Sequence, residues 1–250
     1  MNTLNRTLRL SALLLLLVYP DAMSAQWAKK PYTEWSEKDT LKLLNESPWG
    51  QTQTFTDTTK NFSSARGTTA VADVINVNFR VRFLSAKPMR QAISRYMELQ
   101  QKGKLPDQLA AQLKAFAAAD FPDYIIVTVL CDSDRASNML QQATDLLHKL
   151  KTSELKNSTY LVGKDGERVF LQEYQSPRND GLGARFIFPR LVNGQPFIKA
   201  DGGEILFHAE LGGGSRLNST IPSSDVVNSG FTLSTRYKVK EMMFDGKLEY

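Results

Sequence analysis

Asp132, Ser133 and Asp134 place two carboxylates around a hydroxyl, between an apolar run and a helical stretch. Oxygen donors in that pattern suit a hard cation such as Mg²⁺ or Ca²⁺, which makes Asp132 and Asp134 the candidate metal ligands. A hydrolase or metal-dependent enzyme built on them would draw in His208. The same side-chain types cap helices, where negative charge is favourable, so Ser133 or Asp134 is expected to cap the helix that follows. A helix start would lower the pKa of the adjoining Cys131, but two neighbouring aspartates disfavour the thiolate, and a small buried hydrophobe is the expected role. His148 lies beside Lys149, and His208 two residues from Glu210. Neither histidine forms a His-x-x-x-His spacing or has the positioned partner that a general base needs. Ser153 and Lys156 share the Ser-x-x-Lys spacing of some acyl-transfer enzymes without the companion motifs. Residues 212–215 are glycine-rich, yet no Gly-x-x-x-x-Gly-Lys pattern follows, so they read as a hairpin connection. No cofactor signature is present, and none is expected.

Binding chemistry has two further candidate sets. Trp27, Trp35 and Trp49, joined by Tyr32, either stack on a sugar or protein partner or pin an N-terminal arm to the body; anchoring is the favoured reading. Arg80 and Arg82 alternate with apolar residues and form a basic strand face. Between residues 66 and 104 lie eight basic side chains against Asp73 and Glu98 only. Such an excess attracts an envelope protein or an anionic glycan or lipid surface, although a solvated face balanced elsewhere is the commoner meaning.

The elements that must position these residues begin after an export signal. Arg6 and Arg9 precede the apolar run 10–18, and small residues follow to Ser24 and Ala25, the order of a cleavable signal peptide at 1–25. The run is far shorter than the roughly 20 residues that span a bilayer, so no transmembrane segment is expected after cleavage. Export, periplasmic or extracellular, also removes nucleic acid as a partner. Without Arg6, Arg9 and Asp21 the chain carries 29 basic and 25 acidic side chains, a mild net +4. Cys131 is the sole cysteine, so no intramolecular disulfide forms and packing must supply stability.

Residues 26–50 read as the Trp-rich docking arm. Ser36 and Asp39 imitate a capping box ahead of a short helix over 37–45, which Ser47 and Pro48 stop. Residues 52–66 read as a loop with one strand around Phe55. Ile75, Val77, Phe79, Val81 and Phe83 alternate with Asn76, Asn78, Arg80 and Arg82, the pattern of a strand with its basic side in water. Two helices follow, 88–101 ended by Gly103, and 106 to before Pro122, forming a helical hairpin. The apolar run 124–130 predicts a central strand covered on both sides, 132–135 a turn, and 139–150 another helix. Hairpins take over after Lys156, with strands at 160–162, 169–174, 185–188, 205–211 and 231–239, and a last turn at Asp245 and Gly246.

The segments Lys30-Pro31-Tyr32, Glu34-Trp35, Ser47-Pro48-Trp49, Phe188-Pro189-Arg190 and the C-terminal stretch 240–250 resemble a group of uncharacterised secreted bacterial proteins. That resemblance implies a bacterial exported protein inherited as one unit, and it brings no activity, cofactor or catalytic residue.

Together these readings predict an α+β fold, a largely antiparallel twisted sheet with three to four helices on one face. Residues 26–250 are expected to form a single domain, with a helix-rich half at 70–150 and a β-hairpin half at 156–250. The leading functional expectation is a noncatalytic exported binding or interaction protein of the cell envelope.

Overall fold

The computed structural model describes residues 30–57, 74–102, 104–212 and 230–250. The expected signal with Trp27, residues 58–73 and so most of the expected loop at 52–66, Gly103, and residues 213–229 lie outside the described residues.

In chain order the helices are α1 (Glu37–Asn45), α2 (Lys87–Gln100), α3 (Asp107–Ala118), α4 (Asn138–Lys149) and α5 (Thr152–Leu155). The strands are β1 (Gly50–Asp57), β2 (Ile75–Phe83), β3 (Tyr124–Ser133), β4 (Thr159–Val162), β5 (Arg168–Phe170), β6 (Glu173–Gln175) and β7 (Ala184–Pro189). They continue as β8 (Leu191–Val192), β9 (Gln195–Pro196), β10 (Glu204–Leu211), β11 (Phe231–Lys238), β12 (Met243–Phe244) and β13 (Lys247–Leu248). A five-stranded sheet has the order β1-β2-β3-β7-β6, and a four-stranded sheet the order β11-β10-β4-β5. Every pairing within them is antiparallel. The fold is α+β.

Alternation explains how the two sheets meet. Val77, Phe79, Val81 and Phe83 of β2 point to one face and are fully buried. On β10 the inward set is Ile205, Phe207, Ala209 and Leu211, and on β11 it is Phe231, Leu233, Thr235 and Tyr237. The faces lock through aromatic contacts, with Phe231 tilted at 5.0 Å from Phe79 and Phe207 edge-on at 5.5 Å from Phe186. Phe83 and Tyr237 meet at 4.8 Å, and the Tyr237 hydroxyl donates across the interface to Val81 O at 3.0 Å. The hairpin half therefore covers its apolar face with the other sheet. The expected strand at 169–174 changes sheets on the way: Leu171 N–H donates to Thr159 O, whereas Gln172 N–H donates to Ile187 O.

The second face of the five-stranded sheet is covered by α1 and α2, with α3 packed on α2. Arg82 belongs to that face and is only 8% exposed, which corrects the expectation of a basic side in water. Its Nε donates to Leu44 O at 2.9 Å and its Nη2 to Asn45 Oδ1 at 2.8 Å, tying the end of α1 to the strand. Ser36 caps α1 as expected, its Oγ accepting from Asp39 N–H.

On the other side, α4 closes the edge of the sandwich, where the Tyr174 hydroxyl donates to Leu147 O. Its cap is Ser137, whose Oγ accepts from Leu140 N–H at 3.1 Å, and not Ser133 or Asp134. The reason is the length of β3, which stays paired with β2 through Val77 and Ser133 and so delays the turn. Beside β3, Gly183 has φ +81°, and a Cβ there would sit 2.3 Å from Val129 O. Only glycine fits that approach.

Candidate functional site

Trp35 and Trp49 are each 1% exposed, and their indole N–H groups donate to Lys30 O and Glu249 O. They anchor the N-terminal arm and present no stacking surface. Trp49 meets the C-terminal segment, where Glu249 also accepts from Lys87 N–H at the start of α2. Arg190 stacks 4.1 Å from the Tyr250 ring and donates to Phe121 O. The stretches around Trp49, Arg190 and Tyr250 thus converge as structural clamps.

The enzymatic candidates scatter. Asp132 lies one residue before the end of β3 on the helix-covered face, where Arg80 grips both of its oxygens, Nη2 reaching Oδ1 at 3.0 Å. Asp134 is exposed, with Ser133 Oγ donating to its Oδ1 at 3.4 Å. Among the described residues, no three His, Cys, Asp or Glu side chains gather as a ligand group for a metal. Cys131 faces the sandwich interior beside Thr144, 3.5 Å from its Oγ1. Burial pushes its thiol above the ordinary pKa, and the Asp132 charge adds to this against the Thr144 hydrogen bond. A nucleophile needs the opposite shift.

His208 lies on the outer side of the four-stranded sheet, stacked on Tyr160 at 4.8 Å, with Glu210 Oε1 3.7 Å from its Nε2. Both sheets separate it from Asp132. His148 is exposed on α4, and Ser153 and Lys156 are exposed around α5. Gly212 takes φ +78°, and residues 213–215 lie outside the described residues.

One cleft does bring predicted residues together. It has a volume of about 460 Å³ and opens over β2 and β3 between the helices. Leu41 and Leu44 of α1, Ile93, Tyr96 and Met97 of α2, Leu109 of α3, Leu130 and Leu182 supply its apolar lining. Asn45, Gln100 and Gln101 add neutral polar groups, and the sheet contributes Arg80, Arg82 and Asp132. An apolar hollow of that size with a few convergent polar groups is the usual form of a small-molecule site.

The electrostatics of the cleft are uneven. Arg80 and Asp132 neutralise one another, with side chains 24% and 37% exposed. Burial, reinforced by Arg80, lowers the Arg82 pKa to about 10, so the guanidinium is charged at neutral pH. Leu44 O and Asn45 Oδ1, which accept from Arg82, are both neutral oxygens.

Arg80 and Arg82 were legible as a pair from alternation, but their shared hollow was not. Leu41, Tyr96, Met97 and Leu109 carry ordinary helical periodicity, and nothing in that period separates a side chain lining a cleft from one filling a core. Leu182 had no signal within its loop. No protein-family model, curated protein or solved structure matches this chain.

Proposed function

We propose that this chain is a noncatalytic exported binding protein of the cell envelope, with 1–25 as its removable signal and the α1-α2-α3 cleft as its ligand seat. The observation that carries the reading is the cleft itself: about 460 Å³, mostly apolar, and gathering Arg80, Arg82 and Asp132. Cys131, His148 and His208 lie away from it, which leaves its chemistry to recognition. A hydrolytic or metal-dependent role for Asp132 and Asp134 has less support, because Arg80 occupies both Asp132 oxygens. Among the described residues no helix is long and apolar enough to cross a membrane. Arg80 and Arg82 act here inside a cleft, so a selective small ligand suits them better than a broad anionic surface.

The test is to produce the full chain in a bacterium, sequence the N-terminus of the accumulated protein, and weigh it natively by mass spectrometry. Expected are a start at Ala25 or Gln26, recovery from the exported fraction, and a bound small molecule that Met97→Trp removes by filling the cleft while the melting temperature holds. Intact chains beginning at Met1 in the cytosol would refute export. Equal ligand loads in wild type and Met97→Trp would refute the cleft.

A further inference from the structure

Resting on the cleft as the ligand seat, we infer that its ligand is an amphiphile with one negative charge, an aliphatic monocarboxylate whose chain lies on the leucine-lined wall and whose carboxylate meets Arg82.

Charge counting leads to this class. Two guanidinium groups, Arg80 and Arg82, share the cleft with one carboxylate, Asp132. Asp132 is held by Arg80 through two hydrogen bonds, so the charge of Arg82 is left over. The other acids nearby are committed elsewhere, Asp180 to Arg185 and Glu98 to Arg95. Arg82 is more than nine-tenths buried, and its hydrogen bonds, from Nε to Leu44 O and from Nη2 to Asn45 Oδ1, reach neutral oxygens. A buried cation hydrogen-bonded to no carboxylate is costly, and a ligand that brings one anion into reach relieves that cost. A carboxylate meets a guanidinium in a planar, charge-assisted geometry.

The remaining surface selects the body of the ligand. Leu41, Ile93, Met97, Leu109, Leu130 and Leu182 offer methyl and methylene contacts. A glycan would leave its hydroxyls facing them unpaired. A dianion would place its second charge against Asp132, and a cation would meet a net positive floor. An alkyl chain with a single carboxylate satisfies both surfaces.

The experiment compares three ten-carbon probes below their micellar concentrations: decanoate, decanol and decyltrimethylammonium. Binding to the mature protein is measured by calorimetry and located by backbone amide shifts. Decanoate is expected to bind at least tenfold tighter than decanol, since a charge-assisted contact outweighs a neutral one by about that factor or more. The cationic probe should bind weakest, and Met97→Trp should abolish decanoate binding. Asp132→Asn removes the competing carboxylate and should tighten decanoate several-fold without touching the core. Arg82→Met should erase the preference over decanol; if it does not fold, Asp132→Asn carries the charge test alone. Equal binding of decanoate and decanol, both lost in Met97→Trp, would overturn the charge inference and leave the cleft as a seat. Decanoate binding that survives Met97→Trp would overturn both. No binding of any probe would overturn the amphiphile inference, while the native mass measurement judges the binding role separately.

Discussion

Tyr237 illustrates how much a single buried hydroxyl contributes here. It is 1% exposed, and burial raises its pKa while its hydroxyl donates to Val81 O. A raised pKa in the folded state means that the unfolded phenol, ionising near pH 10, loses its proton first. The stabilisation is therefore complete below about pH 10 and is lost as pH rises beyond it. Burial shifts Tyr174 in the same direction. We expect the urea midpoint of the wild type to fall between pH 9 and pH 11, and to fall less in Tyr237→Phe. At neutral pH that variant should lose about 0.5–1.5 kcal/mol for its hydrogen bond across the sheets. Parallel pH curves for the two proteins would show that Tyr237 is not the titrating group. Arg82 shows the limit of reading at this scale. Alternation assigned it to the side of β2 opposite the phenylalanines, where it is found. Whether that side met water depended on Leu44 and Asn45, nearly forty positions earlier in the chain.

Elements were readable where a single period ran uninterrupted. The α1 helix, β2 and β10 fall where capping and alternation predict them, because their signals are local. Boundaries between elements depended on partners. Ser133, Asp134 and Ser137 are all competent caps by residue type, and β2 decided among them by keeping β3 extended through Ser133. Ser137→Ala should therefore cost about 1 kcal/mol in chemical denaturation, as loss of an N-cap does. Ser133→Ala should stay within about 0.5 kcal/mol of wild type, as an ordinary surface change would. Reversed magnitudes would return the cap to Ser133. The expected strand at 169–174 divided for a similar reason, since β4 and β7 each claimed one end through backbone hydrogen bonds invisible in side-chain pattern.

At the scale of the molecule, stability should be shared by both sheets, because their aromatic faces bury one another. Phe207 is fully buried and touches Phe186 and Phe188 of the opposite sheet. Phe207→Ala should cost about 3–5 kcal/mol. The loss should appear equally in tryptophan fluorescence, which reports the N-terminal arm, and in amide exchange of β10. Separate transitions for the two probes would mean that the halves fold independently. Residue order alone determined the α+β content, the antiparallel strands with one apolar face, and the absence of any internal disulfide, since each follows from local period or from the count of one residue type. Tertiary contact decided that two sheets stack, that α1 and α2 bury Arg82, and that Arg80, Arg82 and Asp132 share one hollow. Burial and charge pairing are sums over groups distant in the chain, and a period of two or 3.6 residues carries no record of which groups those will be.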